Sequence, residues 1–465
     1  MTDMQKEFAR CLRLGLGRCA LILANCGDVN EFKDSLIRAC VNNPTPYTQQ
    51  DGTRAKYLYK LTEFFDDKNA FIEPVISEIR LYREDNGWTF YHLCDLLGEF
   101  AAHGSDKAYA ALQDEYRNLY EIMLHRAESD GGYDGANDNF EQVAVTLLNV
   151  VSASPKQALA DFVYCVDDLG RLISFNKKYC ALDFEYYYYT ATYIFGKERV
   201  ERAIKRVGKK LPYVATFKKS LEKDNDGTRE KVAPAPKPTP SEIIESYDGS
   251  SSPYYYRYII TQNADGGELL KLAQKVKAAE SDGKRANLLR LFGGDCPVPD
   301  GELTVYATSG NRALKEAALD IISNCKSDGF NDLTAMLLNC SCNLKYYGLC
   351  LLIKNYGGDG SAFFENADGL FDRKDECKDD YDLTSEGLRE IVLETILDEF
   401  EDGETALPDS FLTFVYENAL MFLQRRRTIQ LMHERGCLTR ETVGECAYDC
   451  NEDIRELAQI YAEEF

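Results

Sequence analysis

No stretch of the 465 residues approaches the roughly 18 consecutive apolar residues of a transmembrane helix, which excludes a helical membrane span. Histidine is scarce: His92, His103, His125 and His433 are all there is, so a serine or cysteine nucleophile has few bases to draw on. Sixteen cysteines include no C-x-x-C pair. The tightest spacings are Cys340-Ser341-Cys342 and Cys446 with Cys450, which excludes zinc ribbons and fingers. Also lacking are a G-x-x-x-x-G-K-S/T phosphate loop, a G-x-S-x-G nucleophile elbow and an H-E-x-x-H zinc helix. Gly15-Leu16-Gly17 has neither the third glycine nor the preceding strand of a dinucleotide site. Positive charge is outweighed, with 54 Lys and Arg against 77 Asp and Glu, a net −23. That balance argues against a nucleic-acid binder over the whole surface and for a self-repelling particle.

What is present is a helical rhythm. Hydrophobic residues make up 45% and charged residues 28%, enough for packed cores and against wholesale disorder. Leu58, Leu61, Phe64 and Phe65 share one helical face, as do Leu93, Leu96, Leu97 and Phe100, and Leu393, Ile396, Leu397 and Phe400. His103-Gly104-Ser105-Asp106, Ser309-Gly310-Asn311 and Gly357-Gly358-Asp359-Gly360 punctuate such segments, and long alternating runs are hard to find. The expected class is all-α with short connections.

Cysteines such as Cys340 and Cys350 stand in apolar stripes as small hydrophobes, usage that fits a reducing cytosol. Lys6, Arg10, Arg13 and Arg18 before Ala20–Cys26 faintly resemble a lipoprotein signal, but the apolar core is short and Asp3 and Glu7 spoil the charged region. Leu12, Leu16, Cys19, Leu23 and Cys26 fall at helical spacing instead, so a first amphipathic helix and a cytoplasmic protein are expected.

Ala233-Pro234-Ala235-Pro236-Lys237-Pro238-Thr239-Pro240 holds four of the 13 prolines and favours an extended, semi-rigid spacer. Charge divides at the same place. Residues 1–240 carry 32 basic and 35 acidic side chains, a net −3, and residues 241–465 carry 22 and 42, a net −20. The expected organisation is a helical repeat block over 1–221, a Pro/Ser-rich linker over 222–252 and an acidic repeat block over 253–465.

Three windows share a frame: Ser309 to Ala318, Asn339 to Gly348 and Asp449 to Ala458. In each, a polar first residue is followed by an aliphatic (Leu314, Leu344, Ile454), a base (Lys315, Lys345, Arg455) and a small residue (Ala318, Gly348, Ala458). The polar residue can cap the helix, the aliphatic face the core, and the small residue admit a paired helix. These windows resemble the second helix of the HEAT repeat, and their steps of 30 and 110 residues fit that repeat's length. Ser105 with Ala108 and Leu112 echoes it. The block from Ser35 to Leu61, with Tyr47, Gln50, Gly52, Arg54 and Tyr57, resembles the start of uncharacterised bacterial HEAT-repeat proteins. The resemblance implies an α-solenoid of antiparallel helix pairs, an armadillo-like superhelix whose groove takes a protein or peptide.

Two local signals could carry chemistry. From Lys197 to Lys219 there are nine basic residues and two acidic ones. As a helix this span has an apolar stripe (Val200, Ile204, Val207, Leu211) opposite Arg199, Arg202, Arg206, Lys209 and Lys210, just after Tyr186 to Tyr189 and Tyr193. Basic faces with aromatic platforms suit phosphates and bases; the alternative is a solvated surface helix with tyrosines that thicken the packing. Asp130 to Glu141 follows the calcium-loop frame, with oxygens from Asp130, Asp134, Asp138 and Glu141 and Gly135 at the sharp turn. Gly132 and Asn137 depart from that frame, and the alternative is an acidic helix connection in which Asp138 caps the next helix.

The expected function is therefore a non-catalytic protein-interaction scaffold without a cofactor. The alternative is nucleic-acid binding through the basic helix near 197–219, as the HEAT-like alkylpurine DNA glycosylases use a basic concave face.

Overall fold

Local capping sets where the helices begin. Thr2 and Gln5, Thr239 and Glu242, and Asp265 and Glu268 form reciprocal capping boxes, the second with Pro240 in the first turn. The computed structural model describes residues 2–42, 54–83, 88–128, 135–150, 155–175, 185–225, 238–293, 296–340, 343–355, 357, 360–368, 370–371, 385–402 and 406–465. Among these residues the chain forms twenty-six α-helices and no strand. The protein is all-α.

It divides into two compact units, one of Met1–Glu230 with Thr439–Phe465 and one of Lys231–Leu438. The grouping of the last helices with the first unit is a return of the chain that the charge division at 222–252 gives no sign of. In both units a helix packs chiefly on its next or next-but-one neighbour along the chain. The long helix Pro155–Phe175 also takes Val214–Asn225, three helices on. There Gly170 leaves room for the Tyr213 carbonyl, which would lie 2.1 Å from an added Cβ. Asp167 accepts the Tyr213 and Val214 N–H groups at 2.7 and 3.1 Å, filling the orphan donors at that helix's start.

In the first unit, Phe8 and Phe32 pack with ring centroids 4.7 Å apart. Leu12, Leu16, Cys19 and Leu23 are buried as their spacing predicts. They do not form one helix: Leu12 lies in Asp3–Leu14, Cys19 and Leu23 in Arg18–Asn25, and Leu16 in the turn between, while Cys26, the last of that stripe, follows the second helix and is half-buried. Gly15, at φ 76°, ends the first by turning its N–H back to the Cys11 and Leu12 carbonyls. Gly17 matters for another reason: a Cβ there would stand 1.9 Å from the Glu445 carbonyl oxygen. Onto this corner packs the C-terminal helix pair, Arg440–Cys446 and Glu452–Ala462. Cys450 donates its N–H to the Gly15 carbonyl at 2.9 Å. Arg18 binds Glu445 at 2.9 Å and Glu7 at 2.7 Å. The paired Arg10 contacts, with help from Arg18, hold the Glu7 carboxyl down at about 2.

Of the Ser35–Leu61 block, Tyr47, Gln50 and Gly52 lie outside the described residues. Buried Arg54 donates to the Leu12 carbonyl at 2.8 Å, at the negative end of the first helix. Tyr57 donates to the Leu16 carbonyl at 2.8 Å.

The second unit buries Phe292 and Phe330, and gathers Phe363, Phe371, Phe411 and Phe414 with ring centroids 4.8 to 5.2 Å apart. Its fully buried Glu399 is held by Lys354 at 2.8 Å and Lys326 at 3.0 Å, a charge acceptable inside only because it is paired.

The three repeat windows turn out as two of one kind and one of another. Ser309 and Asp449 do not cap their helices; each accepts the N–H of the asparagine two places on, at 3.0 and 2.8 Å. That asparagine is the cap: Asn311 accepts from Leu314 and Asn451 from Ile454. Leu314 and Ile454 are accordingly third in their helices and buried. Asn339 instead donates back to the Ala335 carbonyl, and the helix Leu344–Lys354 starts at Leu344 itself, which is only half-buried. Gly348 does admit a close neighbour, since its Cβ would meet the Leu338 side chain at 3.1 Å. Arg455 folds back on the Asp449 and Cys450 carbonyls at 2.7 and 2.8 Å. Arg425, completely buried, does the same to Ala419 and Leu420, at 3.0 and 3.1 Å. Both arginines are fourth in their helices and bind the carbonyls five and six places earlier.

Candidate functional site

The basic span folds as the helix Lys197–Val207, a short 3-10 turn over Gly208–Lys210 and the helix Val214–Asn225. Gly208 and Pro212 interrupt what the periodicity reads as one helix. Val200 and Ile204 are buried, whereas Val207 and Leu211 are half-buried because the stripe leaves the helix there. Arg199, Arg202, Arg206, Lys209 and Lys210 are all exposed, as is Lys205. Arg199, Arg202 and Arg206, at i, i+3 and i+7, form one strip. Arg202 reaches its own helix, donating to the Glu198 carbonyl at 3.2 Å and pairing with the Glu198 carboxylate at 4.0 Å. Among the described residues Arg199, Lys205, Arg206, Lys209 and Lys210 have no carboxylate partner.

Gly196, at φ 82°, joins this helix to the tyrosine helix Glu185–Phe195. Its tyrosines divide by face. Tyr187 is buried and stacks on Phe162 at 5.2 Å, Tyr188 is half-buried, and Tyr189 and Tyr193 are 57% and 92% exposed. Tyr189 and Tyr193 are one turn apart and project from the helix that immediately precedes the cationic one.

Of the expected calcium ligands, Asp130 and Asp134 lie outside the described residues. Asp138 and Glu141 are in the helix Gly135–Val150, Asp138 within its first turn. Glu141 accepts the Tyr187 N–H at 3.1 Å and so caps the tyrosine helix. Among the described residues no group of three or more His, Cys, Asp or Glu is placed to hold a metal ion.

Tyr187 also lines a cavity of about 220 Å³, shared with the helices Asp106–Glu128, Gly135–Val150 and Pro155–Phe175. Tyr109, Tyr116, Phe162 and Tyr164 add aromatic wall, and Asp161 and Asp168 add carboxylates. Tyr116 donates to Asp168 at 2.8 Å. Burial raises the Asp168 carboxyl against the pull of that hydrogen bond, and Asp167 beside it adds to the rise. Burial likewise pushes the Cys165 thiol up to about 12, so it lines the cavity as an inert thiol.

No protein-family model matches the chain, and no curated protein does. The geometry alone must speak for the site.

The cavity was missed in the sequence because its residues come from four helices. A signal was there. Asp161, Cys165 and Asp168 are at i, i+4 and i+7, as Tyr109 and Tyr116 are seven apart, so polar groups interrupt faces that otherwise pack.

Proposed function

We propose that this protein is an interaction scaffold of HEAT-like helix pairs, an α-solenoid, that binds an acidic segment of a partner protein on the strip Arg199–Arg202–Arg206. The architecture is supported by the neighbour-to-neighbour helix packing and by the cap geometry common to Ser309–Asn311 and Asp449–Asn451. The observation that carries the function is the exposed strip itself, in which among the described residues only Arg202 has a carboxylate close by, Glu198 at 4.0 Å, and which follows the helix bearing exposed Tyr189 and Tyr193. Arginine presents a planar fork to carboxylates, and tyrosine adds rigid contact area at low entropic cost. A partner that is short and acidic can use the strip without covering the rest of a −23 chain.

The same strip with its two tyrosines also supports the alternative, nucleic acid, because exposed rings can stack bases. One experiment separates them. Fluorescence anisotropy at low salt should show a polyglutamate peptide binding the intact protein and losing at least ten-fold affinity when Arg199, Arg202 and Arg206 become alanine. Melting temperature should stay unchanged, since all three side chains are exposed. Duplex DNA binding with a log-log salt slope that falls by roughly two to three units in the triple variant, at about 0.9 per phosphate, would replace this reading with the alternative.

A further inference from the structure

The first unit's cavity has a chemistry that the cationic strip does not share. Four tyrosines and a phenylalanine line about 220 Å³, room for roughly seven waters at about 30 Å³ each. That is small for a drug-sized ligand and suits a single head group. Ring faces carry negative quadrupole potential, and Asp161 and Asp168 add formal negative charge to the same wall. Arg117 is the one base among the lining residues, and its guanidinium is exposed and turned to Asp114 at 3.0 Å. Arg171 acts on Asp168 from the same helix and stands over the Phe175 ring at 5.8 Å. Tyr164 is 55% exposed, so the cavity reaches solvent.

A neutral apolar ligand would gain from the rings but would leave a half-buried carboxylate without new compensation. An anion would be repelled by both carboxylates. A group that is apolar outside and positive within matches every wall: its methyls fit the rings, and its charge serves the rings and carboxylates together.

We propose that this cavity is a receptor for an alkylammonium group, held by cation–π contact with Tyr109, Tyr116 and Tyr164 and by charge with Asp161 and Asp168. The group belongs either to a free small amine or to an N-methylated lysine side chain; both offer the same chemistry. The proposal stands independently of the scaffold reading, since none of its residues lies on the Arg199–Arg202–Arg206 strip.

Calorimetry on the full chain tests it with choline and its uncharged isostere 3,3-dimethylbutan-1-ol. Choline should bind at least ten-fold more tightly than the isostere, and Asp168→Asn should reduce choline affinity about ten-fold. Tyr164→Ala, exposed and so harmless to the core, should reduce it several-fold and keeps the test open should the Asp168 variant fail to fold. A trimethyllysine peptide that binds more tightly than choline would assign the group to a protein, and equal or weaker binding to a free amine. Equal affinity for choline and the isostere, or binding by neither, would overturn the proposal.

Discussion

Ile454 and Leu344 occupy the same place in the repeat frame, yet only Ile454 is fully buried. Their truncation should therefore differ. Ile454→Ala should cost about 2–5 kcal/mol, the range for a buried aliphatic with its cavity, and Leu344→Ala less than about 2. Urea unfolding of the two variants measures both, and equal losses would mean that Leu344 is packed as tightly as its frame suggests. A second residue-scale expectation concerns protons. Burial holds His92 down to about 4, with the Arg54 charge adding to it, while burial lifts Asp95 to about 7 against the Gln142 hydrogen bond. The native Asp95 keeps its proton to about 7, whereas the unfolded carboxyl releases it near 3.8, so its contribution is lost as pH rises between them. For His92 the unfolded ring takes a proton near 6.5 that the native ring refuses until about 4, so stability is lost as pH falls through that interval. The two slopes oppose each other. Asp95→Asn removes one of them, and the variant should gain on the parent by roughly 1.4 kcal/mol per pH unit as pH climbs from 4 toward 7. Denaturant titrations at pH 4.5 and 6.5 check this; a difference independent of pH would mean that Asp95 titrates normally.

At the scale of elements, some helix starts carry a local signal, the caps read for the windows from Ser309, Asn339 and Asp449 were misplaced, and the helix partners were not readable. Thr2 with Gln5, Thr239 with Glu242 and Asp265 with Glu268 announce their helices in the sequence. The basic helix shows both sides of this. Its stripe of Val200 and Ile204 was legible from spacing, but its end at Val207 depended on Gly208 and Pro212, which a periodic count passes over. Gly17 is the clearest case of a partner without a sequence signal. It sits in the turn between two helices with a negative φ of −62° that any residue adopts, and its role comes from the Glu445 carbonyl that presses on it. Gly17→Ala should push the C-terminal helix pair away from the Asp3–Leu14 and Arg18–Asn25 corner. The Cys450 amide, bonded to the Gly15 carbonyl, should then exchange with deuterium much faster. Unchanged protection would show that the corner can shift by more than its close contact implies.

For the molecule as a whole, the two compact units are not consecutive halves of the chain. Residues 439–465 carry buried Val443, Cys446, Cys450, Ile454 and Ala458 into the first unit. Their loss would expose apolar surface and leave Arg18 without Glu445. A chain ending at residue 438 should lose amide protection in the helices Asp3–Leu14 and Arg18–Asn25, while Arg312–Ile322 in the second unit keeps its own. Equal loss in both places would contradict the division into these units.

Helical period, short breakers and the scarcity of alternating runs determined the all-α class from the sequence alone, because each depends on residues within a few places of one another. The strip Arg199–Arg202–Arg206 belongs to the same level, a pattern one helix long. The corner at Gly17 and the cavity shared by Tyr116, Asp168 and Tyr187 did not. Each depends on groups 19 to more than 400 positions apart meeting at contact distance, and Asp168 is no different from the other acidic residues until Tyr116 is 2.8 Å away. Only tertiary packing decides which of many chemically equivalent side chains are brought together, because long-range contact follows from the sum of helix lengths and crossing angles, and no short window of sequence holds that sum.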